Sequence, residues 1–311
     1  MPEHGNLHER VANAPDVPSG LPLVILLTGF TDAGSAVSGL IEHLREVTDP
    51  QPIVVFDNDR LLDYRARRPI FTFEHDHLSE YRPARLELSL AHDALGQQFL
   101  LLSGYEPDFS WEAFTAAVLD LSTELGTSGV TWVHSIAMPV PHTRPISTTV
   151  SGNSKEIAAS VSVWRPRTQL PATAGHLLEY RFSERGDRVV GFVLLVPHYL
   201  AETENPEAVI AAADRIMGST GIVLGLDELR EQRLEFLAKV NEQVDSNDEL
   251  RQMIQTLEGR YDAYMAGRDP DAGDDGGFDE RDLPSADELA AELERYLATR
   301  PRGDEDKRPH S

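Results

Sequence analysis

The sequence lacks cysteine and long apolar runs. None of its 311 residues is cysteine, which excludes disulfides, thiolate nucleophiles and cysteine-based zinc sites. No run of 18 or more apolar residues occurs, so we expect no membrane-spanning helix. The first residues show no basic stretch followed by an apolar one, so we also expect a cytoplasmic chain without a secretory signal.

Basic residues are scarce as well. The chain has 28 Lys and Arg against 52 Asp and Glu, a formal net charge of −24. Such a surface repels phosphate backbones and anionic lipids, which argues against nucleic acid or a membrane as a partner. Apolar residues make up 41% of the chain, as in ordinary globular proteins. The length allows one large or two moderate domains.

Strand and helix patterns alternate from residue 21 to about residue 225. Short apolar segments typical of buried strands occupy 23–27, 53–56, 98–102, 130–138 and 189–196. Helical spacing occurs over 35–47, 111–125 and 206–217. The pattern predicts an α/β domain with a mixed, mostly parallel sheet. Residues 1–20 show little apolar periodicity, so we predict a mobile N-terminal arm there.

A different pattern follows residue 225. Two apolar stripes with helical spacing predict a helical hairpin over 226–267, and Ser246 with Glu249 matches a capping box at its turn. We predict an acidic linker, a short helix and a disordered tail over 268–311. Between 269 and 294 there are eleven carboxylates and a single basic residue, Arg281. This segment is either a solubilising tail or a strip that covers a basic surface such as Arg65, Arg67 and Arg68.

The turn after the first predicted strand is one candidate site. Gly29, Asp32 and Gly34 lie between that strand and the first predicted helix, where open α/β sheets bind ligands. The turn matches neither common phosphate-binding glycine motif. Two interpretations stay open: a structural turn in which Asp32 caps the helix, or a ligand loop in which the glycines permit close backbone approach.

A basic cluster is the second candidate. Asp57 follows the second predicted strand, and Arg65, Arg67 and Arg68 come shortly after it beside Asp63. Asp63 and Arg67 stand four residues apart and would form an ordinary ion pair on a helix. The cluster is either an ion network at a subunit or sheet edge, or an anion site.

The loop after the strand at 130–138 is the third candidate. His142, Thr143 and Arg144 lie between prolines, and Asn153 follows shortly after. These side chains suit acid–base work or oxyanion binding. No nucleophile or carboxylate partner stands at a recognisable spacing, so we assign no catalytic residue, metal or cofactor. A rigid structural loop and a protein contact are the alternatives.

Several motifs together resemble the actinobacterial branch of the proteasome assembly chaperone 2 (PAC2) family. The resemblance covers about residues 21–257. It rests on segments 29–34, 63–69, 104–108, 111–112, 138–145 and 152–153. It implies an α/β/α sandwich similar to nucleoside phosphorylases, without an assigned activity in bacteria, and homo-oligomers such as trimers. Eukaryotic relatives bind proteasome α subunits during ring assembly, so proteasome subunits are expected partners.

Two functions follow from these observations. The first is a non-enzymatic, homo-oligomeric binding scaffold that resembles proteasome assembly chaperones. The second is an enzyme or binder of small molecules with a phosphorylase-like pocket. The family's hydrophobic-Tyr-any docking tail is not matched, because His310 stands where Tyr is expected. Convergence of the 28–35 and 139–153 loops on a pocket would favour the second function, and internal pairing of their side chains would favour the first.

Overall fold

The computed structural model describes residues 7–29, 31–163 and 169–267. Its strands are β1 (His8–Arg10), β2 (Pro22–Thr28), β3 (Gln51–Phe56), β4 (Ile70–Glu74), β5 (His77–Arg82), β6 (Leu86–His92), β7 (Gln98–Tyr105), β8 (Gly129–Met138), β9 (Ser147–Gly152) and β10 (Val189–Pro197). Its helices are α1 (Ala36–Thr48), α2 (Asn58–Leu61), α3 (Trp111–Leu125), α4 (Lys155–Val161), α5 (Ala174–Arg185), α6 (Pro206–Thr220), α7 (Asp227–Ser246) and α8 (Asp248–Gly267).

Eight strands form one sheet in the order β1-β3-β6-β7-β2-β8-β10-β9. β2 runs parallel to β7 and β8, and β8 runs parallel to β10. β6 and β9 are antiparallel to their neighbours. The predicted mixed, mostly parallel sheet is confirmed. Among the described residues, β4 and β5 pair only with each other.

Strand β2 shows how the sheet is covered on both faces. Val24 and Leu26 face one core cluster, to which α1 and α6 contribute, whereas Leu23 and Ile25 face a second cluster with α3 and α5. All four side chains are buried, which explains why the strand is continuously apolar instead of alternating. The α/β/α sandwich is confirmed.

The C-terminal helical hairpin is present as α7 and α8, but its cap differs from the predicted one. Asn247 Oδ1 accepts hydrogen bonds from the N–H groups of Glu249 and Leu250 at 3.0 and 3.2 Å. Ser246 still belongs to α7, and its hydroxyl donates to the Gln243 carbonyl. Asn247 is therefore the N-cap of α8, one residue beyond the predicted Ser246. The linker, short helix and tail predicted over 268–311 lie outside the described residues.

The N-terminal residues are held by the sheet, which differs from the predicted mobile arm. β1 pairs antiparallel with β3, so that His8 stands opposite Phe56. The Asp57 N–H donates to the Leu7 carbonyl at 2.9 Å, and the Leu7 side chain is buried in the core. A three-residue strand of polar residues carries no apolar periodicity, so sequence patterning cannot reveal it. β1 covers the β3 edge that would otherwise be open to pairing with another chain.

Candidate functional site

The loops that follow the parallel strands meet at the carboxyl edge of the sheet. β2 leads into the turn at 29–35, β7 into Glu106, β8 into the loop at 139–146, and β10 into His198 and Tyr199. The segment before β6 and the β4–β5 hairpin reach the same edge, because β6 runs antiparallel to β7. Parts of all three predicted candidate sites therefore share this edge.

Asp32 caps α1 from within the turn. Its Oδ1 accepts from the Val37 N–H at 2.7 Å and its Oδ2 accepts from the Ser38 N–H at 2.9 Å. The Ser135 hydroxyl of β8 donates to Oδ1 at 3.2 Å. The carboxylate thus occupies the free amides that would otherwise attract an anion. This arrangement supports the structural interpretation of the turn.

The two glycines of the turn permit close approach of protein atoms. A Cβ on Gly29 would stand 2.5 Å from Glu106 Cβ. Gly34 has φ +69°, and a Cβ there would meet Asn205 and Ala208 side chains at 3.2 and 3.3 Å. Its N–H donates to the Ala201 carbonyl at 2.7 Å. Both glycines are explained by internal packing.

A buried cluster that sequence reasoning missed lies behind this turn. His134 on β8 is 8% exposed, and its Nε2 lies 3.1 Å from Thr31 Oγ1. The His176 ring of α5 lies 6.0 Å away edge-on. Burial, with a smaller contribution from His176, lowers the pKa of His134 to about 4. Burial also lowers the pKa of His176. Both imidazoles are neutral at pH 7.

Glu106 closes the other side of the cluster. Its Oε1 accepts from the Ala174 N–H at 2.5 Å, at the first turn of α5. The void between Thr31, Glu106 and His134 measures about 10 Å³, which is space for a single water molecule. The cluster joins β7, β8 and α5 and has no room for a metabolite. Alternation along β8 places Trp132 and His134 on one face, but α5 carries no sequence signal that would have brought His176 beside them.

The basic cluster is divided between internal and exposed arginines. Arg67 donates from Nη1 to the Glu106 carbonyl at 2.6 Å and from Nη2 to Asp108 Oδ1 at 2.9 Å. Its predicted pairing with the Asp63 carboxylate is wrong, because Arg65 is the guanidinium beside that group, at 3.4 Å. Residues 62–69 do not form a helix, so Asp63 and Arg67 are not brought together on one helix face.

The remaining predicted members of that cluster lie at its surface or at a helix start. Asp57 accepts from the Asp59 N–H at 2.9 Å and caps α2. The Arg65 side chain is 87% exposed, and Arg68 is exposed as well. Backbone and side-chain hydrogen bonds from Arg65 lower the pKa of the Asp63 carboxyl. Arg65 and Arg68 are therefore the members available to a partner, a role that stays a prediction.

The loop after β8 is tied to the C-terminal helices. Arg144 donates from Nε and Nη2 to the two Asp262 oxygens at 2.9 and 2.6 Å, and Nη1 lies 3.4 Å from Glu258 Oε1. The Thr143 hydroxyl donates to the same Glu258 oxygen. The bidentate pair fixes the position of α8 against the loop. Asp262, in turn, holds the pKa of the Arg144 guanidinium above its usual value.

His142 is held by two neighbours. The backbone N–H of His142 donates to the Tyr199 hydroxyl at 2.7 Å. The ring Nδ1 of His142 lies at the same distance from that hydroxyl. The Tyr199 hydroxyl can donate to Nδ1 when Nε2 carries the ring proton and donates to Asn241 Oδ1. Nε2 lies 3.2 Å from Asn241 Oδ1 on α7. Each polar atom of this imidazole has a partner within the chain.

Asn153 lies at the opposite edge of the sheet. Its Nδ2 donates to the Asp187 carbonyl at 2.6 Å, and its Oδ1 accepts from the Val189 N–H at 3.1 Å. β9 ends where β10 begins, because the two strands are antiparallel. Asn153 therefore joins these strand ends and does not meet His142 or Arg144.

A separate cleft opens between α1 and the start of β6. Its volume is about 480 Å³. Arg45 and Glu42 line it from α1, and Arg85 and Glu87 line it from the other side. Glu87 is 7% exposed, and among the described residues its Oε2 has no hydrogen-bond partner. The nearest cation is Arg85 Nη1 at 3.8 Å. The cleft is large enough for a small ligand.

The described part of the chain offers neither a metal-binding cluster nor a membrane-spanning helix. No group of three or more His, Asp or Glu is placed there to hold a metal ion. No helix among residues 7–29, 31–163 and 169–267 is long and apolar enough to cross a membrane.

The match to a family model decides the classification. The model of the PAC2 family matches residues 26–244. The chain belongs to the PAC2 family. A Mycobacterium tuberculosis protein of unknown function, Rv2714, is 37% identical, with a TM-score of 0.79 over 86% of this chain and 94% of that one. A Corynebacterium glutamicum protein of unknown function is 32% identical, with a TM-score of 0.81 over 84% of this chain and 99% of that one.

A more distant structural neighbour shares the fold. The M. tuberculosis protein Rv2125, described as a proteasome-assembly chaperone homologue, is 22% identical, with a TM-score of 0.68 over 75% of this chain and 100% of that one. No curated protein matches this PAC2 chain.

Proposed function

We propose that this PAC2 chain is a non-enzymatic, homo-oligomeric binding scaffold of the proteasome-assembly-chaperone type. The observation that carries the proposal is the internal pairing of the loop side chains at the carboxyl edge. Asp32 caps a helix, His142 is held by Tyr199 and Asn241, and Arg144 is held by Asp262 and Glu258. These hydrogen bonds fix the conformation of the loops at the carboxyl edge. The side chains are engaged in them and are not arranged to act on a substrate. Rv2125, which shares the fold, is described as a chaperone homologue.

Affinity purification from the native host tests this proposal. The full chain and an Arg144→Ala variant are purified in parallel, and the recovered proteins are identified by mass spectrometry. We expect proteasome subunits with the wild type, and weaker recovery with the variant because the loop and α8 lose their bidentate pair. Recovery of no stable protein partner with either chain would contradict the scaffold proposal.

A second candidate function, small-molecule binding, is favoured by the cleft beside α1. The cleft combines two guanidiniums with two carboxylates, and the buried Glu87 oxygen without a hydrogen-bond partner could accept from a ligand. Thermal-shift screening against nucleosides, phosphates and carboxylates tests it. Ligand at ~100 times its Kd adds about 2.7 kcal/mol to the free energy of unfolding. A rise in Tm that is lost in Glu87→Gln would support binding in the cleft. An unchanged Tm with every compound would contradict small-molecule binding there.

A further inference from the structure

Strand β6 places polar side chains on the face of the sheet that α1 covers. Leu86, Leu88 and Leu90 alternate into the core cluster on the other face, to which α3 and α5 contribute. Glu87 and Ser89 therefore lie on the α1 face. They are nevertheless buried, with exposed fractions of 7% and 1%. Burial of polar groups costs free energy unless they find hydrogen-bond partners.

Two polar atoms on this face have no hydrogen-bond partner within the described residues. They are Glu87 Oε2 and Ser89 Oγ. The nearest guanidinium nitrogen, Arg85 Nη1, stands 3.8 Å from Glu87 Oε2, which is beyond hydrogen-bonding distance. Buried groups of this kind destabilise the folded chain, and proteins keep them mainly where function requires them.

The Glu87 side chain lines the cleft between α1 and the start of β6. The cleft measures about 480 Å³, within the roughly 300 to 1,000 Å³ of small-molecule sites. The last torsion of a Glu side chain turns easily, so a donor in the cleft can engage either oxygen of the carboxylate. Glu87 is thus a buried acceptor that a bound molecule can satisfy.

The opposite wall of the cleft carries charged side chains that the described residues leave unpaired. Glu42 and Arg45 line the cleft three residues apart on α1, so they share one side of the helix. Both residues are exposed. Neither side chain forms an ion pair or hydrogen bond within the described part of the chain. Both are therefore available to a ligand.

The charges of the cleft favour a ligand that carries both signs. Two guanidiniums, of Arg45 and Arg85, line it together with the carboxylates of Glu42 and Glu87. An anion such as phosphate would face both carboxylates in a chain of net charge −24. A simple cation would face both guanidiniums. A molecule with an ammonium and a carboxylate group avoids both conflicts, since ammonium N–H groups donate to carboxylates and carboxylates accept from guanidiniums.

Apolar residues complete the lining of the cleft. Ile41 lies on α1, and Pro83 and Ala84 precede β6. Small-molecule sites combine an apolar lining with a few polar groups that fix the orientation of the ligand. The lining therefore suits an amino acid whose side chain is apolar.

We propose that this cleft binds a free α-amino acid, with the ammonium group at Glu87 and the carboxylate at Arg45. The side chain of the amino acid lies against Ile41, Pro83 and Ala84. The inference rests on small-molecule binding in the cleft, the second function proposed above, and names the class of ligand.

Isothermal titration calorimetry of the full chain with each standard L-amino acid tests the proposal. We expect binding, tightest for amino acids with apolar side chains. Two derivatives of the tightest binder, its amide and its N-acetyl form, keep the side chain but lose the negative and the positive charge, respectively. Each should bind about tenfold or more weakly than the parent, because a hydrogen bond between charged groups is lost.

Two variants assign the contacts. Arg45→Gln changes an exposed residue, which should leave the fold intact, and Glu87→Gln keeps the side-chain shape but removes the charge. Each should weaken amino-acid binding by about tenfold or more. In Arg45→Gln the amino acid and its amide should bind alike, and in Glu87→Gln the amino acid and its N-acetyl form should bind alike. Glu46→Gln is the control, because Glu46 is exposed on α1 and is not part of the cleft lining.

The outcomes separate this inference from the proposed functions. Absence of binding by every amino acid would overturn it, as would wild-type affinity in both Arg45→Gln and Glu87→Gln. If a nucleoside, phosphate or carboxylate raises Tm in a way that depends on Glu87 while no amino acid binds, small-molecule binding in the cleft stands and the amino-acid assignment is wrong. If no compound of either set binds, both are wrong. The scaffold proposal is decided by the proteins recovered from the host.

Discussion

At the scale of single residues, the carboxyl edge of the sheet is filled by the chain's own polar groups. The imidazoles of His134 and His176 are buried and neutral, and Glu106 caps α5. Residues of these types in a cleft often do chemistry. Here the void beside them has space for one water, so their contribution is to stability and its pH dependence.

Acid should destabilise the fold through His134. The folded pKa is about 4, below the ordinary value of 6.5, so between these values the unfolded chain binds more protons than the folded one. The stabilisation is complete above pH 6.5 and is lost as the pH falls toward 4. At pH 5 the loss from this group is roughly 2 kcal/mol. Urea unfolding at pH 7.5 and pH 5 measures it.

Two variants test whether His134 causes this loss of stability. His134→Gln removes the titrating group and should reduce the loss between pH 7.5 and pH 5. His92→Gln changes an exposed histidine and should leave the loss as in the wild type. An equal pH dependence in all three chains would show that His134 titrates normally in the fold.

At the scale of elements, the position of α8 depends on the loop after β8. Arg144→Ala removes the pair with Asp262 and the contact with Glu258. These ion pairs are partly exposed, so we expect only a small loss in the free energy of unfolding. The larger effect should be faster hydrogen exchange in α8, because local opening becomes easier.

Arg251→Ala serves as the matched control for that variant. Arg251 pairs with Asp248 three residues away in the first turn of the same helix. Its loss should not change how α8 contacts the loop. Equal exchange rates in α8 for the two variants would contradict a positioning role for Arg144.

The N-terminal strand offers a second test at this scale. Leu7 is 5% exposed beside β1, so Leu7→Ala should lower the free energy of unfolding by about 2 kcal/mol or more. Glu9→Ala, at an exposed position of the same strand, should have little effect. A mobile arm, as the sequence predicts, would give no loss for either variant in denaturant unfolding.

The elements also show which features the sequence could predict. β2 and β10 are apolar because both sheet faces are covered, so their short continuous apolar runs predict them from the sequence. β1 was missed because its backbone, and not its side chains, holds it in the sheet. The partners of Arg144 lie over one hundred positions away on α8. Such pairings form only when the chain folds, so the spacing of residues within a motif does not predict them.

At the scale of the whole molecule, an acidic chain has a locally basic segment where it presents exposed apolar residues. Six arginines flank the β4–β5 hairpin within residues 60–85, and the hairpin has the largest group of exposed aromatic side chains among the described residues. The loop at 142–144, at the carboxyl edge of the sheet, contacts α7 and α8 and fixes their position.

The most direct test of the scaffold is reconstitution with purified components. The full chain is mixed with proteasome α subunits of the same organism, and the complexes are weighed by native mass spectrometry. We predict a complex of fixed stoichiometry that contains several copies of this chain. Absence of any such complex, together with saturable turnover of a small molecule by the chain alone, would contradict the account.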